Sequence, residues 1–162
     1  MEWSDGSAGI LDPVPLVDER GCTVRVTITP AADGPAGRPR IALSHGEDAS
    51  GWWIGVDEQG RAVVGLGTVA GPVSLAAGAP LAPGEAAAIA ALLPGAPGER
   101  LEIRVRAAGW IEEAAASVVV GARMLPPRGR FRRGARSERG GELILPFHGT
   151  VSGLMVTPGK HP

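Results

Sequence analysis

The sequence predicts an all-β fold, a sandwich of two antiparallel sheets, and three observations carry that expectation. Short apolar runs with period-two alternation recur along the 162 residues, which is the pattern of half-buried strands. Gly (25) and Pro (15) make up about a quarter of the chain and punctuate those runs. The last run, 147–156, comes too late to pair with anything beyond it. Its backbone groups need earlier strands as partners.

Residues 1–19 are weakly patterned. Ile10-Leu11 and Val14 to Val17 suit an edge strand, because Pro13 and Pro15 remove ladder donors; the alternative is an N-terminal extension. The main domain is expected over 20–158. Segment 22–29 alternates most cleanly, with Cys22, Val24, Val26 and Ile28 on one face and Thr23, Arg25, Thr27 and Thr29 on the other. Segment 40–45 predicts a short strand with Ile41 and Leu43 inward. In 51–57, Trp52, Ile54 and Val56 share a face, and Trp53, Gly55 and Asp57 share the other. Asp57-Glu58-Gln59-Gly60 then predicts a hairpin turn. The returning strand holds Ala62, Val64 and Leu66 on one side, and 73–75 continues the meander.

Segment 85–93 is ambiguous. Its alanines favour a helix, yet it is short and bounded by Pro83-Gly84 and Pro94-Gly95. A helix of that length is marginal without tertiary support, so it is read as a strand. In 99–106, Leu101, Ile103 and Val105 point inward, and Glu102, Arg104 and Arg106 point out. Val118-Val119-Val120 marks another strand, 125–141 reads as a long Arg/Gly-rich loop, and 142–145 is a short strand before the last. In that last strand Phe147, Val151 and Met155 are expected on the buried face, with Gly149 and Gly153 marking bulges or close backbone approaches.

The length suits one domain with a full core. A formal net charge of −1 gives no global reason to expect a nucleic-acid or membrane partner. Cys22 is the single cysteine and is expected to be a buried core residue. Met1 to Asp5 is acidic and lacks the basic and apolar regions of a signal peptide. No apolar run reaches the ~20 residues of a membrane span. A cytoplasmic location is the expectation.

The order of several motifs resembles a known family. A Gly51-Trp52 strand runs through Val56-Asp57-Glu58-Gln59-Gly60 to Val63-Val64. Leu101, Ile103 and Val105 lead to a turn at Gly109, and the chain closes on Phe147, Gly149 and Leu154. This arrangement resembles the laminin G-like, or concanavalin A-like, jelly roll over roughly 20–158. Within that family it is similar to the sandwich domain of N,N-dimethylformamidase-like amidohydrolases. The resemblance implies a two-sheet jelly roll acting as a non-catalytic accessory or interaction module of a larger enzyme. A free-standing lectin-like carbohydrate binder is the alternative. The chain departs from the family in lacking an aromatic at the start of 86–91, and in carrying Ser152-Gly153 where an acidic residue often stands. A family calcium or sugar site is therefore not carried over.

No residue set forms a catalytic constellation. The adjacent acidic pairs Glu47-Asp48, Asp57-Glu58 and Glu112-Glu113 would point to opposite faces of a strand, unlike the two convergent carboxyls of a glycosidase. His45 near Glu47 and Asp48 could hold a cation, but a solvated loop is the simpler reading. No metal and no cofactor is expected. Trp52, Trp53 and Trp110 are candidates for a sugar-stacking platform, though only one of Trp52 and Trp53 can face outward. Arg128, Arg130, Arg132, Arg133 and Arg136, with Arg139, face only Glu138, about +5 locally. That segment is a candidate surface for a partner subunit, a second copy or an anion. Nucleic acid is the less favoured partner, because a Gly/Arg loop can simply be solvated.

Overall fold

The computed structural model describes residues 9–11, 21–31, 40–46, 50–125, 131–133, 136–137, 143–144, 147 and 149–159. They form a two-sheet antiparallel sandwich. Thirteen strands follow in chain order: β1 Gly9–Leu11, β2 Cys22–Pro30, β3 Arg40–His45, β4 Trp52–Val56, β5 Ala62–Thr68, β6 Gly71–Ala77, β7 Ala87–Leu93, β8 Arg100–Ala107, β9 Ala114–Val119, β10 Phe131–Arg133, β11 Arg136–Ser137, β12 Leu143–Ile144 and β13 Gly149–Pro158. The six-stranded sheet runs β1-β10-β3-β4-β5-β6, and the five-stranded sheet runs β13-β2-β7-β8-β9. Strands β11 and β12 form a separate ribbon, with β11 lying beside β3. Among the described residues, no helix is long and apolar enough to cross a membrane.

Alternation builds the core. Cys22, Val24, Val26 and Ile28 from β2 meet Trp52, Ile54, Val56, Val64 and Leu66 from the facing sheet, all buried. Each fully buried aliphatic or aromatic side chain here stabilises the fold by about 1.5–3 kcal/mol relative to exposure. The β4–β5 hairpin forms as expected. Gly60 adopts φ 83° and its amide donates to the Asp57 carbonyl at 3.0 Å. Asp57 Oδ1 accepts from the amides of Gln59 and Arg61, and the Arg61 guanidinium meets Oδ2 at 2.9 Å.

Segment 85–93 contributes β7, a central strand paired with β2 on one side and β8 on the other. Two ladders satisfy its backbone, and Ala87, Ile89, Ala91 and Leu93 fall on the core face. Tertiary pairing thereby overrides local helix preference. The N-terminal edge strand is present as β1, at the end of the six-stranded sheet. Val14 to Val17 lie outside the described residues.

Three expectations need correction. First, the segment read as a loop, 125–141, contains β10, which enters the six-stranded sheet between β1 and β3, and β11 of the ribbon. Second, Ile41 is buried but outside the core cluster. The β3–β4 register shifts between Ile41 and Leu43, so the extra residue puts Leu43 on the core side and pairs Ile41 with outward Gly55. Third, Met155 is exposed (57%) rather than buried. The β13–β2 register shifts between Ser152 and Met155, and Gly153 takes φ 64°. One extra residue reverses the side-chain parity. Val151 therefore points inward before the bulge, and Leu154 and Val156 pack on the core after it.

Candidate functional site

The two outer faces of the sandwich differ. On the six-stranded sheet, Ile41, Ser44 and Val63 are buried although they lie outside the core cluster. A Cβ on Gly65 would overlap the Trp53 indole, and one on Gly55 would overlap the Arg40 carbonyl oxygen. The glycines thus let Trp53 and the bulged start of β3 lie flat against their neighbours. Burial also pulls the Arg40 guanidinium below its ordinary pKa, though it remains a cation.

The five-stranded sheet presents a groove instead. Arg25 (β2), Ala90 (β7) and Arg104 (β8) stand in register across three strands, with Thr27, Ala88 and Arg106 forming the next row. With strands about 4.8 Å apart, Arg25 and Arg104 are rooted about 10 Å from each other. Ala88 and Ala90 form a low floor between them. The groove encloses about 330 Å³, with Glu113 near β9 and the Gly153 bulge on its β13 side. A methyl group added to Gly153 would find its nearest neighbour, Thr27 Oγ1, at 3.9 Å, so the bulge itself is open, and the exposed Met155, paired with Arg25, borders the groove beside it. Beyond Arg104 lies a second depression of about 340 Å³, bordered by Glu102, Ala115 and Ser117. Arg104 meets Glu102 at 3.8 Å, with both side chains partly exposed, a pairing worth at most about 1 kcal/mol. At the other end of the face, Thr23 and Leu92 are buried, and Thr23 Oγ1 donates to the Gly159 carbonyl at 2.8 Å.

This arrangement can hold an anion. Guanidinium forks bind carboxylate or sulfate oxygens in pairs, and the Thr27 hydroxyl adds a neutral donor and acceptor. The described side chains of this face include no aromatic ring, so stacking of a neutral sugar face is not what it offers. Among the described residues, catalytic geometry is not brought together either. Asp57 is occupied by its hairpin, Glu102 neighbours Arg104, and Glu47 and Asp48 lie outside the described residues. Among the described residues no group of three or more His, Cys, Asp or Glu could hold a metal. His45 is buried, edge-on to Trp52 with ring centroids 6.4 Å apart.

The three candidate tryptophans are separated. Trp52 is in the core with no exposed surface, where no ligand reaches it. Trp53 lies over Gly65, and Trp110 packs over Gly78 beside Ala114 at the sandwich margin. Of the arginine segment, Arg132 and Arg133 lie on β10 and Arg136 on β11; Arg128 and Arg130 lie outside the described residues. The residues that line the groove, Arg25, Arg104 and Arg106, were legible as outward positions of two strands. Their adjacency was not, because it depends on β7 lying between those strands.

No family model matches the chain, and no curated protein sequence matches it. Solved structures do resemble it in fold. A native heptameric SAP-like pentraxin from Limulus polyphemus shares 16% identity over 99% of this chain and 76% of its own, with a TM-score of 0.68. The Ruminococcus gnavus IT-sialidase CBM40, in a structure bound to α2,3-sialyllactose, shares 11% identity over 100% of this chain and 94% of its own, with a TM-score of 0.67. Mouse laminin α1 domains LG4-5 share 12% identity over 96% of this chain and 40% of their own, with a TM-score of 0.57. With these likenesses the fold is a concanavalin A-like, laminin G-like jelly roll, as the motif order implied.

Proposed function

We propose that this chain is a non-catalytic recognition module that binds a carbohydrate on the outer face of its five-stranded sheet. The observation that carries this reading is the groove in which Arg25, Arg104 and Arg106 surround the Ala88–Ala90 floor. The end-to-end fold likeness to the IT-sialidase CBM40, a sialyllactose-bound domain, supports it. A glycan array probed with the purified chain tests it. Binding to a defined glycan set, lost in an Arg25→Ala/Arg106→Ala double variant and retained in Trp53→Ala, is the expected result. No binding to any glycan, or binding lost only in Trp53→Ala, overturns it.

A second reading is an accessory domain or subunit of a larger enzyme, for which the amidohydrolase of the N,N-dimethylformamidase kind is the candidate drawn from the sequence motifs. The six arginines around Phe131 would then be a contact surface, and the cytoplasmic location belongs with this reading. Affinity purification of the tagged chain from its source cell, followed by mass spectrometry, tests it. A stoichiometric enzyme chain supports the subunit role, and a lone monodisperse protein removes it.

A further inference from the structure

We infer that the ligand is a linear polyanionic glycan, bearing carboxylate or sulfate groups along its length and lying across the strands from the Gly153 bulge to β9. The inference rests on the carbohydrate reading above and adds the charge and path of the ligand.

Two depressions of similar size flank Arg104, one toward β2 and one toward β9. A ligand filling both must pass over that guanidinium. The row beneath such a path is Arg25, Ala90, Arg104 and Ala115, in register on four consecutive strands. The alternation of cation and methyl along it repeats every two strands, about 10 Å. A single carboxylate could engage one guanidinium fork at a time in this row, whereas a chain with recurring anionic groups engages both. The ends differ. On the β13 side the row ends at exposed Met155, the partner of Arg25, with side-chain-free Gly153 beside it; on the other side β9 is the last strand of its sheet, with Ala115 and Ser117 as low outward residues. The charge balance favours an anion without being saturated. Arg104 and Arg106 outnumber Glu113 in the first depression, and Glu102 is a weakly held, partly exposed neighbour of Arg104 that a ligand anion can displace. The described part of this face offers no aromatic platform on which nucleic-acid bases would stack.

The test is calorimetric titration of the full chain with four probes: glucuronate, hyaluronan hexasaccharide, chondroitin sulfate hexasaccharide and a neutral arabinan hexasaccharide. Poly-glutamate serves as a polyanion that is not a glycan. The expected result is tight binding of an anionic hexasaccharide, at least about tenfold tighter than glucuronate, weakening as salt rises. The carboxylate-only and sulfated hexasaccharides report which anion is preferred. Arg104→Gln is expected to weaken binding about tenfold or more, and Glu102→Gln to strengthen it. Arg104→Lys, which keeps the charge and loses the fork, should recover only part of the affinity. Urea unfolding of each variant confirms that the fold is intact. Equal affinity for glucuronate and the hexasaccharides overturns the extended path. Binding of the neutral hexasaccharide with no salt dependence overturns the anionic ligand and leaves the carbohydrate reading standing. Binding of poly-glutamate alone overturns both in favour of an acidic protein partner, and no binding to any glycan probe or array overturns both.

Discussion

The two outer faces of this sandwich are built from the same period-two alternation and reach opposite ends. The outward residues of the six-stranded sheet are small or folded down: Gly55, Gly65 and Trp53, with Ser44, Ile41 and Val63 buried. Those of the five-stranded sheet include Arg25, Arg104 and Arg106, standing clear of an alanine floor. On the first face, glycine removes side chains so that neighbours can cover the sheet. On the second, alanine keeps a floor low while long cations stand around it. The same economy of side-chain volume closes one face and opens the other.

That contrast can be broken experimentally. The largest effect is expected on the closed face at Gly55, where an added methyl meets the backbone carbonyl of Arg40. Backbone cannot move aside as a side chain can, so Gly55→Ala should cost on the order of 3 kcal/mol in urea unfolding. A cost below about 0.5 kcal/mol would mean that this face is looser than described. Gly65→Ala should cost about 1–3 kcal/mol by lifting the Trp53 indole. In a Trp53→Ala background the cost should shrink, a coupling of at least about 0.5 kcal/mol in a double-mutant cycle. Strict additivity would separate the two residues.

Smaller effects test the parity reversal at Gly153. Leu154→Ala should destabilise by about 1–2 kcal/mol, since Leu154 is partly buried against the core. Met155→Ala should change stability by less than about 0.5 kcal/mol, because Met155 is exposed. The opposite ranking would restore the unbulged register. On the open face, Arg104→Ala and Arg106→Ala should leave stability within about 0.5 kcal/mol, so that any effect they have on binding is read without a folding correction. Cys22, fully buried, should resist an aromatic disulfide reagent in the native protein and react on unfolding. Rapid labelling of the folded chain would contradict its place in the core.

Much of the fold is legible in the chain because the side-chain period is a local property. The inward sets of β2, β4, β5 and β8 can be read residue by residue, and so can the Asp57–Gly60 turn, whose carboxylate caps its own hairpin. Where an extra residue enters a strand, local reading fails. The register shifts at Ala42 and at Gly153, and side chains on either side of each shift no longer follow one alternation, which is why Ile41 and Met155 lie opposite to where simple alternation puts them. The surroundings of the aromatic residues are not local either. Trp53 and Trp110 suggested a platform, but each fills the space left by a glycine on a neighbouring strand or turn, Gly65 and Gly78, and that proximity has no local signature.

By itself, then, the amino-acid order determined an all-β sandwich, the inward and outward faces of its clean strands, the Asp57–Gly60 hairpin turn and the burial of its one cysteine. Each follows from the two-residue period and from turn chemistry within a few residues. The strand at 85–93 is read from a segment whose composition also suits a helix; only the tertiary structure decided between the two, placed 87–93 between β2 and β8, and thereby brought Arg25 and Arg104 to one groove. The physical reason is hydrogen-bond pairing between segments far apart in the chain. An alanine-rich segment can satisfy its backbone as a helix or between two ladders, and only the neighbours waiting on both sides select the ladders. With that choice the alanines become a floor and the arginines become its walls.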